Sequence, residues 1–477
     1  MSVCRAWWRI SVEGSSLWEN IHILYKLPVP FLGLILERTG GRQLSVRFQS
    51  RDYLHSRVRR EGYLKAIRSI AGRIKTFTAS ITASGGYWEM GHLPELFSVP
   101  YTNMETLDLS YNAFHSSSTW ETETLYRPDI SNVKYGVMLN LICSLPTSQL
   151  SHVTLRHMKG WPPTQFGNLT TLALFGYADG VALAEAVATN PALRKVKVES
   201  IKNKERYSYD PKRLVELDGQ TLELARCEPD VLSMFSLSST CSLIITKTMG
   251  QKAPAFKGGH SELQWLPEDI SAIRCLHELG EVHFSVANMP GRVGWVASEQ
   301  KTVCYSTSNL TSGSNPEPSV TFTLTYHSGA INETPFKPKY LLPYPTSWGQ
   351  VTRASFDGFH DQFRISDQAI LRALSNLRSL TFRRCDSGFL VRFITPNDLR
   401  GLECLGFEDE LSGAEFGDGL LVMLGLRHQF AGLQLKDLKI VTPSNPNTEI
   451  TTEKMRKLEE CVSRVEATEA PGYRPVR

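Results

Sequence analysis

The chain has 477 residues, 41% of them hydrophobic and 21% charged, the composition of a protein that folds around a large apolar core and not of a disordered chain. A net charge of +4 over that length is close to neutral, so composition gives no reason to expect nucleic acid or an anionic membrane as the main partner. The nine cysteines are odd in number and include no Cys-x-x-Cys pair, which fits reduced thiols in cytoplasm or nucleus; the sequons at Asn168, Asn309 and Asn332 are then read as chance.

At the N-terminus Val3, Trp7 and Ile10 recur at spacings of four and three, one face of a short helix with Arg5 and Arg9 outward. The run Glu13-Gly14-Ser15-Ser16 breaks that helix, and a serine there can cap a second one carrying Leu17, Trp18 and Ile21. Two such helices cannot bury Trp7, Trp8 and Trp18 by themselves. Either they cap the core of this chain, or they meet another subunit.

The run Val3-Cys4-Arg5-Ala6-Trp7-Trp8-Arg9-Ile10, followed by Leu17-Trp18-Glu19-Asn20-Ile21, resembles the second half of the F-box in basidiomycete F-box proteins. The likeness continues through residues 32–36, Glu37-Arg38-Thr39-Gly40 and the alternating Leu44-Ser45-Val46-Arg47-Phe48. It implies a helical module at residues 1–24 that docks on the Skp-family adaptor of a cullin-RING ubiquitin ligase. Val3, Cys4, Trp7, Ile10, Leu17, Trp18 and Ile21 would form its packing and docking core. The family's opening Leu-Pro-x-Glu helix is not among residues 1–24, so the module is expected to be N-terminally truncated, with that helix upstream of Met1 or lost.

Residues 25–80 read as a connecting helix and first strands. The apolar run 21–36 is interrupted by Lys26, Pro28 and Pro30, and its unbroken part is far short of the roughly 20 residues that cross a bilayer. A helix opened by Pro30 and stopped at Gly40-Gly41 fits better. Beyond it Arg51, Arg57, Arg59, Arg60, Lys65, Arg68, Arg73 and Lys75 form a basic stretch, read as the solvated face of a helix that turns Leu64, Ile67 and Ala71 inward.

From there to residue 441 one pattern returns, Leu-x-x-Leu-x-Leu, the strand signature of a leucine-rich repeat. It is clearest at Met104/Leu107/Leu109, and recurs at Leu150/Val153/Leu155, Leu169/Leu172/Leu174, Leu193/Val196/Val198, Leu279/Val282/Phe284, Leu377/Leu380/Phe382, Leu402/Leu405/Phe407 and Leu435/Leu438/Ile440. Weaker copies centre on Phe77, Leu222, Phe322 and Phe356. Steps such as Val153 to Leu172 to Val196 lie in or close to the usual repeat length of about 20 to 29. Between strands, residues 181–188 and 366–377 have helical patterning. The expectation is an α/β leucine-rich-repeat solenoid of alternating strand and helix with a parallel sheet, spanning residues 81–441. Asn112, Cys227 and Cys385 fall where a small polar or thiol side chain satisfies the backbone of the turn after a strand.

Residues 288–350, rich in Pro, Gly, Ser and Thr, read as long loops. Their aromatics, Trp295, Tyr305, Phe336, Tyr340, Tyr344 and Trp348, suit either a substrate-binding surface or a plug folded back on the sheet. Residues 442–477 read as a capping helix, with Met455, Leu458, Val462 and Val465 on one stripe, and a loose tail.

No nucleotide-binding loop, nucleophile elbow or His-Glu-x-x-His metal site occurs. Cys275, His277, Glu278 and His283 have no second half with ligand spacing, so neither a metal nor another cofactor is expected, and no catalytic residue. The sequence thus favours a substrate receptor of a ubiquitin ligase, binding a protein target and located in cytoplasm or nucleus. A repeat scaffold without ligase docking is the alternative. A hydrolase using His360 and Asp361, in a polar cluster with Asp357, is a remote third.

Overall fold

Apolar residues two apart lie on the same face of a strand, so each copy of the recurring pattern can cover one side of a sheet and leave the other polar. A computed structural model of the chain shows how the copies add up. It describes residues 14–24, 27–51, 57–84, 96–114, 149–156, 166–175, 180–199, 214–227, 229–249, 266–267, 269, 271–276, 280–293, 296–308, 320–327, 350–358, 374–385, 400–408, 416–431, 434–442 and 452–469. The fold is α/β with a mostly parallel sheet, and the chain divides into two compact units.

The first unit comprises Met1–Glu216 and Gln220–Cys227. Its strands are β1 (Asn20–Ile23), β2 (Leu44–Arg51), β3 (Ile74–Ser84), β4 (Thr106–Phe114), β5 (His152–Arg156), β6 (Thr171–Phe175) and β7 (Lys195–Glu199); after β8 (Val215–Leu217) at the boundary of the units comes β9 (Thr221–Ala225). From β1 to β7, and then to β9, each pairs in parallel with the next. The register aligns Ile21, Val46, Phe77, Leu107, Val153, Leu172, Val196 and Leu222 in one row. All of these are buried. Helices α1 (Val29–Arg38), α2 (Arg57–Ser69) and α3 (Gly180–Ala188) lie between strands. Pro30 sits in the first turn of α1 and Gly40, at φ +56°, follows its end. Where α2 meets α1, a Cβ on Gly62 would stand 2.9 Å from Val29 Cγ1, so only glycine admits this approach. After α3, the buried Asn190 holds the helix end: its Nδ2 donates to Ala186 O and its Oδ1 accepts from the Phe166 N–H.

The second unit comprises Leu217–Gly219 and Glu228–Arg477. It contains β10 (Phe235–Leu237), β11 (Ser242–Met249), β12 (Glu281–Val293), β13 (Val296–Ser308), β14 (Val320–His327), β15 (Arg353–Asp357), β16 (Ser379–Arg383), β17 (Cys404–Glu408), helix α4 (Phe416–Ala431), β18 (Leu435–Thr442), helix α5 (Thr452–Cys461) and β19 (Val462–Glu469). Parallel pairing runs from β12 through β15, β16, β17 and β18 to β19. On the other side of β12 lies β13, antiparallel to both β12 and β14, and β14 then pairs in parallel with β11. The buried Phe356, Phe382 and Phe407 stack in register, with ring centroids 5.6 and 5.7 Å apart.

Two local devices recur. The residue after the first leucine of a copy and the first residue of its strand give successive N–H groups to one carbonyl of the preceding copy: Thr170 and Thr171 to Ser151 O, Arg194 and Lys195 to Thr170 O, Arg378 and Ser379 to Thr352 O, Glu403 and Cys404 to Arg378 O. That sharing satisfies the donors where these strands begin and sets the register. The second device follows β9 and β16, where Arg226 and Arg384 adopt left-handed backbone, φ +54° and +49°. The cysteine after each sends its thiol to the neighbouring strand, Cys227 to Val198 O and Cys385 to Phe356 O, both across 29 residues. Each arginine pairs with the acid ending that strand, Arg226 with Glu199 and Arg384 with Asp357. The turn-satisfying role expected of the two cysteines is therefore seen; Asn112 instead lies within β4.

Three expectations need correction. Residues 15–18 form a 3-10 turn but Asn20–Ile23 is a strand, so Ile21 belongs to the sheet core and not to a second helix; Ile21 and Ile23 alternate with polar neighbours, and β2 offers them a parallel partner. Residues 288–293, 296–308 and 320–327 are strands and not loop. Their alternation, Val282/Phe284/Val286, Val303/Tyr305/Thr307 and Val320/Phe322/Leu324, outweighs the Pro and Gly that suggest a break. At the C-terminus the helix ends at Cys461, and Val462–Glu469 extends the sheet beside β18, because β-branched valines favour a strand where a neighbour offers pairing. The helix expected at 366–377 lies largely outside the described residues.

Truncating the middle ring of the stack, Phe382→Ala, leaves a void between two aromatic neighbours and should cost about 3–5 kcal/mol. Urea denaturation of the full chain measures it, and a loss below about 1 kcal/mol would show that the site collapses and that the stack is not a keystone.

Candidate docking surfaces

The 3-10 turn Ser15–Trp18 is held by Arg42, whose Nε donates to Ser15 Oγ at 2.7 Å and whose Nη1 meets Glu19 Oε1 at 2.6 Å. The Arg38 guanidinium lies 5.4 Å from the centre of the half-buried Trp18 ring, a cation–π contact that fixes the indole. Leu17, by contrast, is 58% exposed. On α1 only Leu32 is fully buried, while Phe31 and Leu34 are 46% and 49% exposed. Together with exposed Leu24 these side chains put apolar area in water on the segment that follows residues 1–13. Of the docking residues expected from sequence, Leu17 and Trp18 stand here and Ile21 is interior; Val3, Cys4, Trp7 and Ile10 lie outside the described residues.

The basic stretch is less free than its sequence suggests. Arg73 donates from Nε to Arg42 O and from Nη2 to Thr39 Oγ1, and Lys75 pairs with Glu105 at 3.3 Å. These cations tie helix ends and strands together.

Each sheet turns a polar face away from its buried rows. In the first unit that face carries Thr76, Thr78, Thr106, Asp108 and Thr154, with Arg156 3.5 Å from Asp108 and 4.1 Å above the Phe175 ring. Glu223 there pairs with both Lys195 and Lys197. In the second unit His283 Nδ1 lies 2.6 Å from Ser355 Oγ, and Arg383 pairs with Glu408 at 2.7 Å. Asp357, which the sequence groups with His360 and Asp361, is held by both Nε and Nη2 of Arg384; His360 and Asp361, the candidates for hydrolytic chemistry, lie outside the described residues. Further along, a depression of about 270 Å³ opens over β16 to β19, lined by Ser379, Thr381, Cys404, Gly406, Glu408, Asp437, Lys439, Arg464 and Glu466 with the backbone rows beneath.

Thiol chemistry is subdued. Burial pushes the Cys275 thiol up to about 12. Burial, with the Asp437 carboxylate beside it, also raises Cys404. Both stay protonated at neutral pH and are weak nucleophiles. Among the described residues no group of three or more His, Cys, Asp or Glu side chains is placed to hold a metal ion, and no helix is long and apolar enough to cross a membrane.

Of the aromatic residues expected on loops, Tyr305 lies on β13, in register with Phe284 and Phe322. Trp295, Phe336, Tyr340, Tyr344 and Trp348 lie outside the described residues. Sequence reasoning missed the His283–Ser355 pair and the depression. The one available signal was Gly406, a glycine within a strand pattern, which marks a close approach. Comparison with models of known families and with curated proteins yields no match.

Burial lowers the affinity of His283 for a proton; Asp357 and Glu281 oppose this, while Arg383 and Arg384 add to it. The unfolded chain, with an ordinary imidazole near 6.5, then binds the proton first as pH falls, so stability declines below about pH 7 and is regained as pH rises. Replacing His283 with Gln should flatten that slope in urea midpoints taken between about pH 5 and 7. Identical slopes in the two proteins would assign the pH dependence elsewhere.

Proposed function

We propose that the chain is a substrate receptor of an SCF-type cullin-RING ubiquitin ligase. Its N-terminal segment, an F-box remnant, docks on a Skp-family adaptor, and a leucine-rich-repeat solenoid behind it binds the protein to be modified. One observation carries this reading: where the sequence resembles an F-box, Leu17, Leu24, Phe31 and Leu34 are each exposed, apolar area that a partner subunit would cover. Parallel strands in register, joined by shared backbone carbonyls, support the repeat scaffold. The receptor contributes position and not chemistry. Holding a target beside the ubiquitin-charged enzyme raises the effective concentration of its lysines, for which no catalytic residue is needed.

A second reading is a repeat scaffold with no ligase attached, and the place of Ile21 favours it. Ile21, which the F-box resemblance assigns to the packing and docking core of the module, is instead a strand residue 2% exposed within the sheet, so that part of the segment serves the chain's own core.

Co-expression of the full chain with a Skp-family adaptor separates the two. The adaptor should co-purify, and Leu17→Asp combined with Leu34→Asp should weaken retention by about tenfold or more. Because both side chains are exposed, unfolding midpoints should move by no more than about 0.5 kcal/mol per site. An adaptor that fails to bind the unaltered chain leaves the scaffold reading standing alone.

A further inference from the structure

We infer that the depression over β16 to β19 is a seat for an extended polypeptide segment, gripped through its backbone. This rests on the proposal that the chain binds protein targets, and adds where and how. The floor comes from small residues: Ser379 and Thr381 on β16, Cys404 and Gly406 on β17. Gly406 is buried, and the Thr381 side chain lies against it, so that a Cβ there would stand 3.2 Å from Thr381 Oγ1. Glycine at this point lets Thr381 lie across β17 and keeps the floor low.

The walls have the polarity a backbone requires. Cross-strand register puts Asp437 beside Cys404 and Lys439 beside Gly406. Asp437 is only an acceptor and Lys439 only a donor. A chain crossing the strands between them shows N–H and C=O groups along both of its edges. Its N–H groups meet the Asp437 carboxylate, and its carbonyls meet the Lys439 ammonium. On the next strand the order of charge reverses, Arg464 standing beside Asp437 and Glu466 beside Lys439, so each edge of the crossing chain meets an acid and a base in turn, as its alternating N–H and C=O groups require. Cys404 already turns its thiol toward Asp437 Oδ2 at 3.7 Å, and burial together with that carboxylate keeps the sulfur protonated, so the floor stays neutral.

Size argues for a strip of chain over a compact ligand. About 270 Å³ falls below the roughly 300–1,000 Å³ of small-molecule pockets. Strands about 4.8 Å apart make the crossing from β16 to β19 about 14 Å, the length of about four extended residues.

The test uses the full-length protein and an array of random octapeptides, which serve as probes of extended chain. Binders should emerge among them. The best of them should bind about tenfold more weakly, or worse, to Asp437→Ala and to Lys439→Ala, with circular dichroism unchanged. N-methylation of a central peptide bond of that binder should weaken binding to the unaltered protein equally. No octapeptide bound, or a binder indifferent to both substitutions, overturns the seat. A binder sensitive to Asp437→Ala yet indifferent to N-methylation overturns the backbone grip. Adaptor retention, read on the same proteins, should not change with Asp437 or Lys439; its loss from the unaltered chain while octapeptides still bind would sink the ligase reading and leave the seat intact.

Discussion

In-register parallel pairing of strands with one face buried is the constraint on which everything else in this molecule depends. Because side chains alternate at a period of two, a slip of one residue would send a whole apolar row into water. The rows from Ile21 to Leu222 and from Phe356 to Phe407 therefore fix every neighbouring strand, and with it the face left open. The shared carbonyls at Ser151, Thr170, Thr352 and Arg378 hold each strand at that register from its first residue. The open face owes its polarity to the same alternation: positions that cannot help the core are free to carry Asp437, Lys439, Thr381 or His283.

That division separates stability from recognition along a single strand. On β17, Leu405 and Phe407 hold the core while Cys404, Gly406 and Glu408 line a depression. Neighbouring residues thus answer to different demands, and substitutions at even and odd positions should be told apart by what they disturb. The N-terminal segment shows the same split in miniature. Ile21 and Ile23 feed the sheet, whereas Leu17 and the outer side of α1 remain exposed.

Much of the sheet was legible in the sequence. Each clear copy of the leucine pattern that falls among the described residues is a strand, and the two turn cysteines do what their position suggested, because those signals are local. The helix opened by Pro30 and ended before Gly40-Gly41 was legible for the same reason. What could not be read depends on neighbours distant in the chain. Ile21 suits a helical stripe as well as a strand, and only β2 decides. Pro290 and Gly291 read as a break, yet pairing with β13 carries the chain through them. Val462 and Val465 continue a helical stripe until β18 offers an edge. The depression was least legible, since its lining joins residues of separate strands whose alignment no single stretch of sequence contains.

The reversed strand β13 bears on how the chain is assembled. In the first unit each new strand finds its partner already made, so the sheet can zip up in the order in which it is synthesised. Within the second unit β11 pairs with β14 and not with β12, and that contact waits until β12, β13 and β14 have emerged. Contacts that span so much chain are slow to close, and a strand kept waiting exposes its edge to other molecules. Until β14 arrives, that edge of β11 stays open to other chains.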